Sequence, residues 1–440
     1  MAGDKYLKSD HIVAQEKGQK IENHPSNFFT RWFKNPTEDP GPVPDGGVLA
    51  CMQVLAVHIF TFNTWGYVNS YGVFQEYYVE ALNRSPSDVA WVGSIASCLT
   101  YAIGTFSGRA TDAGFFKPTI ILGSILVLVG VFMTSYSTQY WQIFLAQGLC
   151  QGIGNGLLFT PAMALLSTYF NKNRAWAIGI AACGNGTGGM VFPAIFQSLL
   201  PTIGFGWTVR VMGLVILTLQ AIAVYTLRPR IPPRKSGPIV DWLAFKEMPY
   251  TLFAFAYFLV MWGVYLPQYY ISSYFHYNLH SSQINSINIL MILNGIGVAG
   301  RIVAAFFANK FTGPLNLLVI FNLVSALLMY SWIAIKTETG LYVFSGLYGF
   351  FGAGLLMLFP ATLPNLTEDM QKMGVRTGMV FTIISIACLT GPPIAGVLIE
   401  KADGGYLYLQ IFGGCTLMTG LLMSAGARVS DTGPKLKVKL

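Results

Sequence analysis

The stretch "GLCQGIGNGLLFTPA" at residues 148–162 returns as "GLYGFFGAGLLMLFPA" at residues 346–361. Gly148, Leu149, Gly154, Gly156, Leu157 and Leu158 each meet an identical residue 198 positions later, and Pro161-Ala162 return as Pro360-Ala361. Other pairs follow in the same order. "WGY" at Trp65 meets "WGV" at Trp262, and "SGRATD" (107–112) meets "AGRIVA" (299–304), which sets Arg109 against Arg301. Arg174 and Arg376 each open an apolar run that carries glycine and proline. Several pairs in one order mean a duplicated unit, two like halves about a pseudo-two-fold axis.

Composition says where those halves sit. The 440 residues are 53% hydrophobic and 10% charged, whereas soluble domains carry about 25% charged residues. So few ions cannot cover a water-facing surface, and the chain reads as an all-α polytopic membrane protein. A bilayer core needs about 20 helical residues per crossing. Twelve segments qualify: 47–75, 88–109, 118–137, 141–169, 174–200, 207–227, 249–274, 283–308, 314–335, 341–364, 374–399 and 406–427. Glycine and proline inside them are tolerated in lipid, where neighbouring helices re-satisfy the backbone. The expected organisation is a disordered tail (1–44), a six-helix bundle (45–228), a linker (229–248), a second six-helix bundle (249–428) and a short tail (429–440). Residues 1–44 have no apolar core and do not read as a cleavable signal.

Of the 27 Lys and Arg, all but Arg84, Arg210, Lys336 and Lys401 fall on or toward one side once the chain is threaded through twelve crossings. The basic loop "RPRIPPRKSG" (228–237) is on that side. Basic residues mark the cytoplasmic side, so both termini are expected there. The +8 net charge is therefore a topology signal, and no nucleic-acid partner is expected. The six cysteines, Cys51, Cys98, Cys150, Cys183, Cys388 and Cys415, lie in apolar runs without CxxC spacing and read as small buried hydrophobes.

The chain resembles a major facilitator superfamily transporter, and more narrowly the fungal branch of the monocarboxylate-porter family. The resemblance runs from residue 43 to about 428. It rests on "PDGG" (44–47), "NTWGYVNSYGVFQEYY" (63–78), "GRATDAGFF" (108–116), "RAWAIGIAACGNGTGGMVFP" (174–193), "NGIGVAGR" (294–301) and "RTGMVFTIISIACLTGPPIAG" (376–396). It implies the major facilitator fold, with twelve transmembrane helices in two pseudo-symmetric six-helix bundles. It also implies a monomer in the plasma membrane that moves a small organic anion or carboxylated metabolite by alternating access, coupled to protons. The departures matter. Where the animal members carry a first-helix lysine this chain has Asn69, and where they carry an aspartate one turn before the helix-8 arginine it has Gly297. Those losses raise the alternative of an efflux pump for a fungal secondary metabolite.

Arg301 is the first candidate for substrate contact. A cation in mid-helix costs about 2.5–3.5 kcal/mol on insertion scales, its planar fork fits a carboxylate, and no acid lies within a turn of it. Tyr265, Gln268 and Tyr269, beside Pro267, and the neutral polar residues Asn69, Asn155 and Asn294 complete the expected substrate site. His58 is the one histidine inside an expected span and is the candidate for proton coupling. Spacings of 4, 3 and 4 place His58, Phe62, Trp65 and Asn69 on one helical face. Arg109, Asp112 and Arg376 form the expected gate, with an Asp112–Arg376 contact between bundles. Gly148, Gly152 and Gly156 form a small-residue ridge for close helix packing.

Weaker signals remain. "NRS" at Asn83 is a glycosylation sequon on the outer side, and "NLT" at Asn365 faces the cytosol and is expected unmodified. "HYNLH" (276–280) has no acidic third ligand, so neither a metal nor a cofactor is expected. No cluster of acids, histidines or a nucleophile at one face supports a membrane enzyme. The 44-residue tail lacks the features of a signalling domain, which weighs against a transport-like sensor.

Overall fold

The computed structural model describes residues 41–232, 240–367 and 373–433. Most of the expected amino-terminal tail, the middle of the linker and residues 434–440 lie outside the described residues. Ten helices are long and apolar enough to cross a bilayer. Two of them are hairpins whose φ turns positive at a single glycine, Gly114 (φ 94°) and Gly204 (φ 72°). Only glycine adopts that backbone without strain, and breaking the two helices there gives twelve crossings.

In chain order these are α1 (Val48–Leu82), α2 (Pro86–Ala110), α3 (Phe116–Thr134), α4 (Tyr140–Tyr169), α5 (174–203), α6 (205–226), α7 (Met248–Asn278), α8 (Gln283–Phe307), α9 (Pro314–Ser331), α10 (Glu338–Thr362), α11 (Met373–Glu400) and α12 (Leu407–Thr432). Residues 41 and 433 lie on one face, called the terminal face below; the opposite face is the distal face.

Three boundaries differ from the sequence expectation. α1 runs to Leu82 and α7 to Asn278, past their expected ends; in α1 Glu76, just beyond the expected end, turns inward and is 3% exposed, and in α7 Phe275 is buried while Tyr277 is exposed. α12 continues to Thr432, into the segment expected as tail.

Each half repeats the same packing. Gly148, Gly152 and Gly156 of α4 press on Ile95, Ala96 and Ile103 of α2, while Gly346, Gly349 and Gly354 of α10 press on Ile296, Leu293 and Gly300 of α8. Apolar side chains gain little from meeting each other in lipid, so backbone proximity at small residues holds the helices together. α1 crosses α5 at Gly66 and Gly188, as α7 crosses α11 at Trp262 and Gly391. A kink recurs too. α1 bends at Ser70 (φ −85°, ψ 1°) and α7 at Tyr265 (φ −85°, ψ −11°), the latter followed by Pro267.

The acid that precedes each half is also duplicated. Asp45 accepts hydrogen bonds from the backbone N–H groups of Asn171 (2.6 Å), Lys172 (2.8 Å) and Asn173 (3.3 Å), just before α5. These donors, Asn171 first, hold its carboxyl below the usual carboxylate range. Asp241, at the equivalent place before α7, meets Arg376 near the start of α11.

Helix caps correct one expected alignment. Ser85 and Ser282 are matching N-caps of α2 and α8, each accepting the N–H three residues on. Arg301 stands 19 residues after its cap and Arg109 stands 24 after its own. Arg301 therefore matches Gly104, and the expected Arg109–Arg301 register fails by more than a helical turn. For this reason Arg301 is buried at 2% while Arg109 sits in the last turn of α2.

The halves meet at both faces. Near the distal face, Ser87 Oγ donates to the Pro393 carbonyl (3.2 Å) and the Tyr277 hydroxyl to Glu80 (3.0 Å). Near the terminal face, Thr105 Oγ1 donates to the Gly378 carbonyl (3.0 Å). Between them, Trp65 stacks on Tyr265 (6.3 Å, 10°), and Tyr101 and Phe159 pack on Phe381. These rings close the space between the bundles in this conformation.

A methyl added at Gly66 would stand 2.6 Å from the Gly188 Cα. Gly66→Ala is expected to lower stability by about 1–3 kcal/mol. Gly46→Ala, with nothing within 4 Å, should leave it unchanged. Thermal unfolding of the purified variants in detergent checks the pair.

Candidate functional site

Arg301 projects from α8 into the seam between α7, α8, α10 and α5. Gly186 and Gly297 make the room: Cβ atoms there would lie 3.1 and 3.4 Å from its Nη1. Among the described residues no carboxylate lies within 4 Å of Arg301, and Nη1 is buried without a protein hydrogen-bond partner. The guanidinium lines a small pocket of about 10 Å³, nearly closed in this conformation, together with Gln268, Asn294, Tyr348 and the apolar Val264 and Leu293.

The other expected substrate residues share that condition. Asn294 lies two turns before Arg301 on the same face of α8. Its Nδ2 donates to the carbonyls of Gly189 (3.2 Å) and Leu290 (3.1 Å), leaving Oδ1 buried and unpartnered. Gln268 Oε1 and Asn69 Oδ1 are also buried without partners. Both amide atoms of Asn155 are in the same state, one turn from Phe159, which touches Trp65 and Phe381 at the centre. Tyr265 is buried against Trp65, and the Tyr269 hydroxyl lies 3.5 Å from Ser97 Oγ of the other half. A polar atom in a dry interior without a partner is costly. Here several of them gather where the two halves meet.

His58 is differently placed. Its Nδ1 lies 2.9 Å from the Ile180 carbonyl and its Nε2 3.3 Å from Thr187 Oγ1, both on α5. The ring thus ties α1 to α5 inside one half. The expected stripe from His58 to Asn69 is interrupted by a π-helical turn at Phe62–Gly66, whose extra residue rotates the helix. Phe62 packs on Phe192 of α5, whereas Trp65 faces the centre.

Arg376 does not meet Asp112. It holds Glu247 through two hydrogen bonds (2.7 and 2.5 Å) and reaches Asp241 (3.4 Å), while its guanidinium lies over the Tyr250 ring. Both acids precede α7 on the same half, and their fork geometry outcompetes a carboxylate across the seam. Arg109 and Asp112 lie half-buried around the α2–α3 turn, close to where Thr105 joins α11. Asn83 is exposed at the distal end of α1, in left-handed conformation (φ 48°).

Glu76 escaped the sequence reading, because a span ending at residue 75 leaves it in a loop. It is buried in α1 with Oε1 unpartnered, and its electrostatic neighbours are His276 on α7 and Glu80 one turn on. The signal was available in the helical spacing of Phe74, Tyr77 and Tyr78, which carries an apolar face beyond residue 75.

Residues 55–392 match the family described as Major Facilitator Superfamily. An MFS-type transporter of Gibberella zeae is 45% identical over 394 residues, covering 89% of each chain. The MFS-type transporter dbaD of Emericella nidulans is 35% identical over 86% of each chain. The aspyridones efflux protein apdF of the same species is 36% identical over 88% of this chain and 79% of its own.

The Arg376 clamp gives a direct test. In a double-mutant cycle on stability, Arg376→Gln with Glu247→Gln should show a coupling above about 1 kcal/mol, and Arg376→Gln with Asp112→Asn a coupling within about 0.5 kcal/mol of zero. Chemical denaturation of the three single and two double variants in detergent checks both.

Proposed function

The chain belongs to the major facilitator superfamily and is a multi-pass membrane transporter rather than an enzyme; from that premise we propose that it exports an organic anion by alternating access. The observation that carries the reading is Arg301, a buried cation without a counter-charge among the described residues, in a pocket of α7, α8 and α10 where its guanidinium reaches Gly186 of the other half. A side chain of that kind inside a membrane protein is a functional site by default. A bound anion would compensate it bidentately. Arg301, Gln268, Asn294, Asn69 and Asn155 are proposed as the polar contacts, with Tyr265 and Tyr269 as aromatic walls.

Two observations favour export over uptake of simple monocarboxylates. One relative is named as an efflux protein. The lysine and aspartate that mark the animal monocarboxylate porters are replaced by Asn69 and Gly297, so the narrower porter resemblance is carried by the helix motifs and not by this pocket.

Proton coupling is part of the proposal, and it passes to Glu76. His58 spends both ring nitrogens on α5, whereas Glu76 lies between the halves near His276. A carboxylate that is buried when α1 and α7 close, and wetted when they part, gains and loses its proton with that motion. With the basic face cytoplasmic, the distal face is exterior, and Asn83 there is the proposed glycosylation site. The plasma membrane is the proposed location.

Counterflow of radiolabelled aromatic carboxylates in proteoliposomes tests the site. Arg301→Lys keeps the charge and loses the fork, and exchange is expected to fall at least about tenfold, with the melting temperature little changed. Undiminished exchange would remove Arg301 from the site. Glu76→Gln is expected to retain exchange and lose its response to an imposed pH gradient. An undiminished response would remove Glu76 from the coupling.

A further inference from the structure

The free atoms around the pocket are of two opposite kinds, and that restricts what can fill it. Arg301 offers an unused donor at Nη1. Asn294 offers an unused acceptor, and its orientation is not arbitrary. Its amide nitrogen is held by two carbonyls, Gly189 and Leu290, and carbonyls only accept. The nitrogen therefore points to them, and Oδ1 is the end left over. Gln268 Oε1, on the facing helix α7, is a second amide oxygen without a partner.

A plain carboxylate would satisfy the arginine and leave Asn294 Oδ1 dry and unpaired. Burying an acceptor in that state costs more than a formed hydrogen bond returns. Sites built around a buried polar group discriminate strongly against ligands that lack its complement. Both groups face the same pocket, with Nη1 beside Gly297 on α8. The rest of the wall, Val264, Leu293, Ala353 and Leu356, is apolar.

We propose that the cargo is an amphoteric hydrogen-bonding anion: an acidic oxygen for Arg301 and, elsewhere on a largely apolar or aromatic body, a hydroxyl or N–H that donates to Asn294. This rests on the anion-transport reading above and narrows it. Simple monocarboxylates, which bring no donor, are excluded as good cargo. Hydroxylated aromatic acids and enolic acids bearing an amide N–H carry both groups.

Benzoate and 3-hydroxybenzoate differ only in that donor. Equilibrium binding of each radiolabelled acid to the purified full-length protein in nanodiscs, by scintillation proximity, reads the difference. The hydroxylated acid is expected to bind about tenfold tighter. Asn294→Leu should erase that preference while retaining anion binding, and Arg301→Gln should abolish binding of both. Gln268→Leu, which removes an acceptor without touching the α5–α8 bonds of Asn294, should reduce the preference if Asn294→Leu does not fold. Equal affinity of the wild-type protein for the two acids overturns this inference and leaves the anion reading standing. Binding of neither, or binding insensitive to Arg301→Gln, overturns both.

Discussion

Lipid offers no hydrogen bonds, so every polar atom in a membrane-spanning helix must be satisfied by the protein or hidden from the acyl chains. This chain meets that constraint by sorting. Packing within each half is apolar and glycine-rich, with backbones nearly touching at Gly66 and Gly188 or Gly349 and Leu293. Asn69, Asn155, Gln268, Asn294 and Arg301 lie at or near the seam between halves, and each keeps a buried atom without a protein partner, as do Asn322 and Ser325 of α9 inside the second half. The seam thus brings several such atoms, and the buried cation, into one place.

The same sorting makes the seam separable. Hydrogen bonds across it are few and mostly neutral, such as Ser87 to Pro393 and Thr105 to Gly378, each worth about 0.5–1.5 kcal/mol. Arg376 grips Glu247 and Asp241 within its own half. Were Arg376 committed to Asp112, the terminal face would be locked by a charge pair. The kinks at Ser70 and Tyr265 add a mechanical consequence. They divide α1 and α7 into segments, and the outer segments, which carry Glu76, Glu80, His276 and Tyr277, can part without unpacking the Gly66–Gly188 crossing.

Polarity and repetition made the architecture legible before any coordinates. A chain so poor in charge has one solvent to fold in, and the repeat at 148 and 346 fixes the division into halves. Arg301 was legible for a related reason, since a lone cation in an apolar run demands an explanation. What escaped depends on fractions of a helical turn. The π turn at Phe62–Gly66 has no sequence signature, yet it moves His58 from the expected central stripe to the α5 contact. Matching Arg109 with Arg301 compared letters; the caps at Ser85 and Ser282 give the true register. Glu76 is polar yet buried, because polarity implies exposure only where no second bundle covers the helix.

Gly297 shows how the pocket ties chemistry to motion. An acid at that position would sit one turn from Arg301 and neutralise it, and the seam could then close at little cost whatever it contained. With glycine there, closing the halves over the guanidinium strips a charge of its water with nothing in the protein to replace it. In the proposed cycle an anion travelling with the seam offsets that cost, so closure would be favoured with cargo aboard and resisted without it. A transporter needs that asymmetry to avoid cycling unloaded. The unsatisfied oxygen of Asn294 sharpens it, because an anion without a donor compensates one half of the deficit and leaves the other in place.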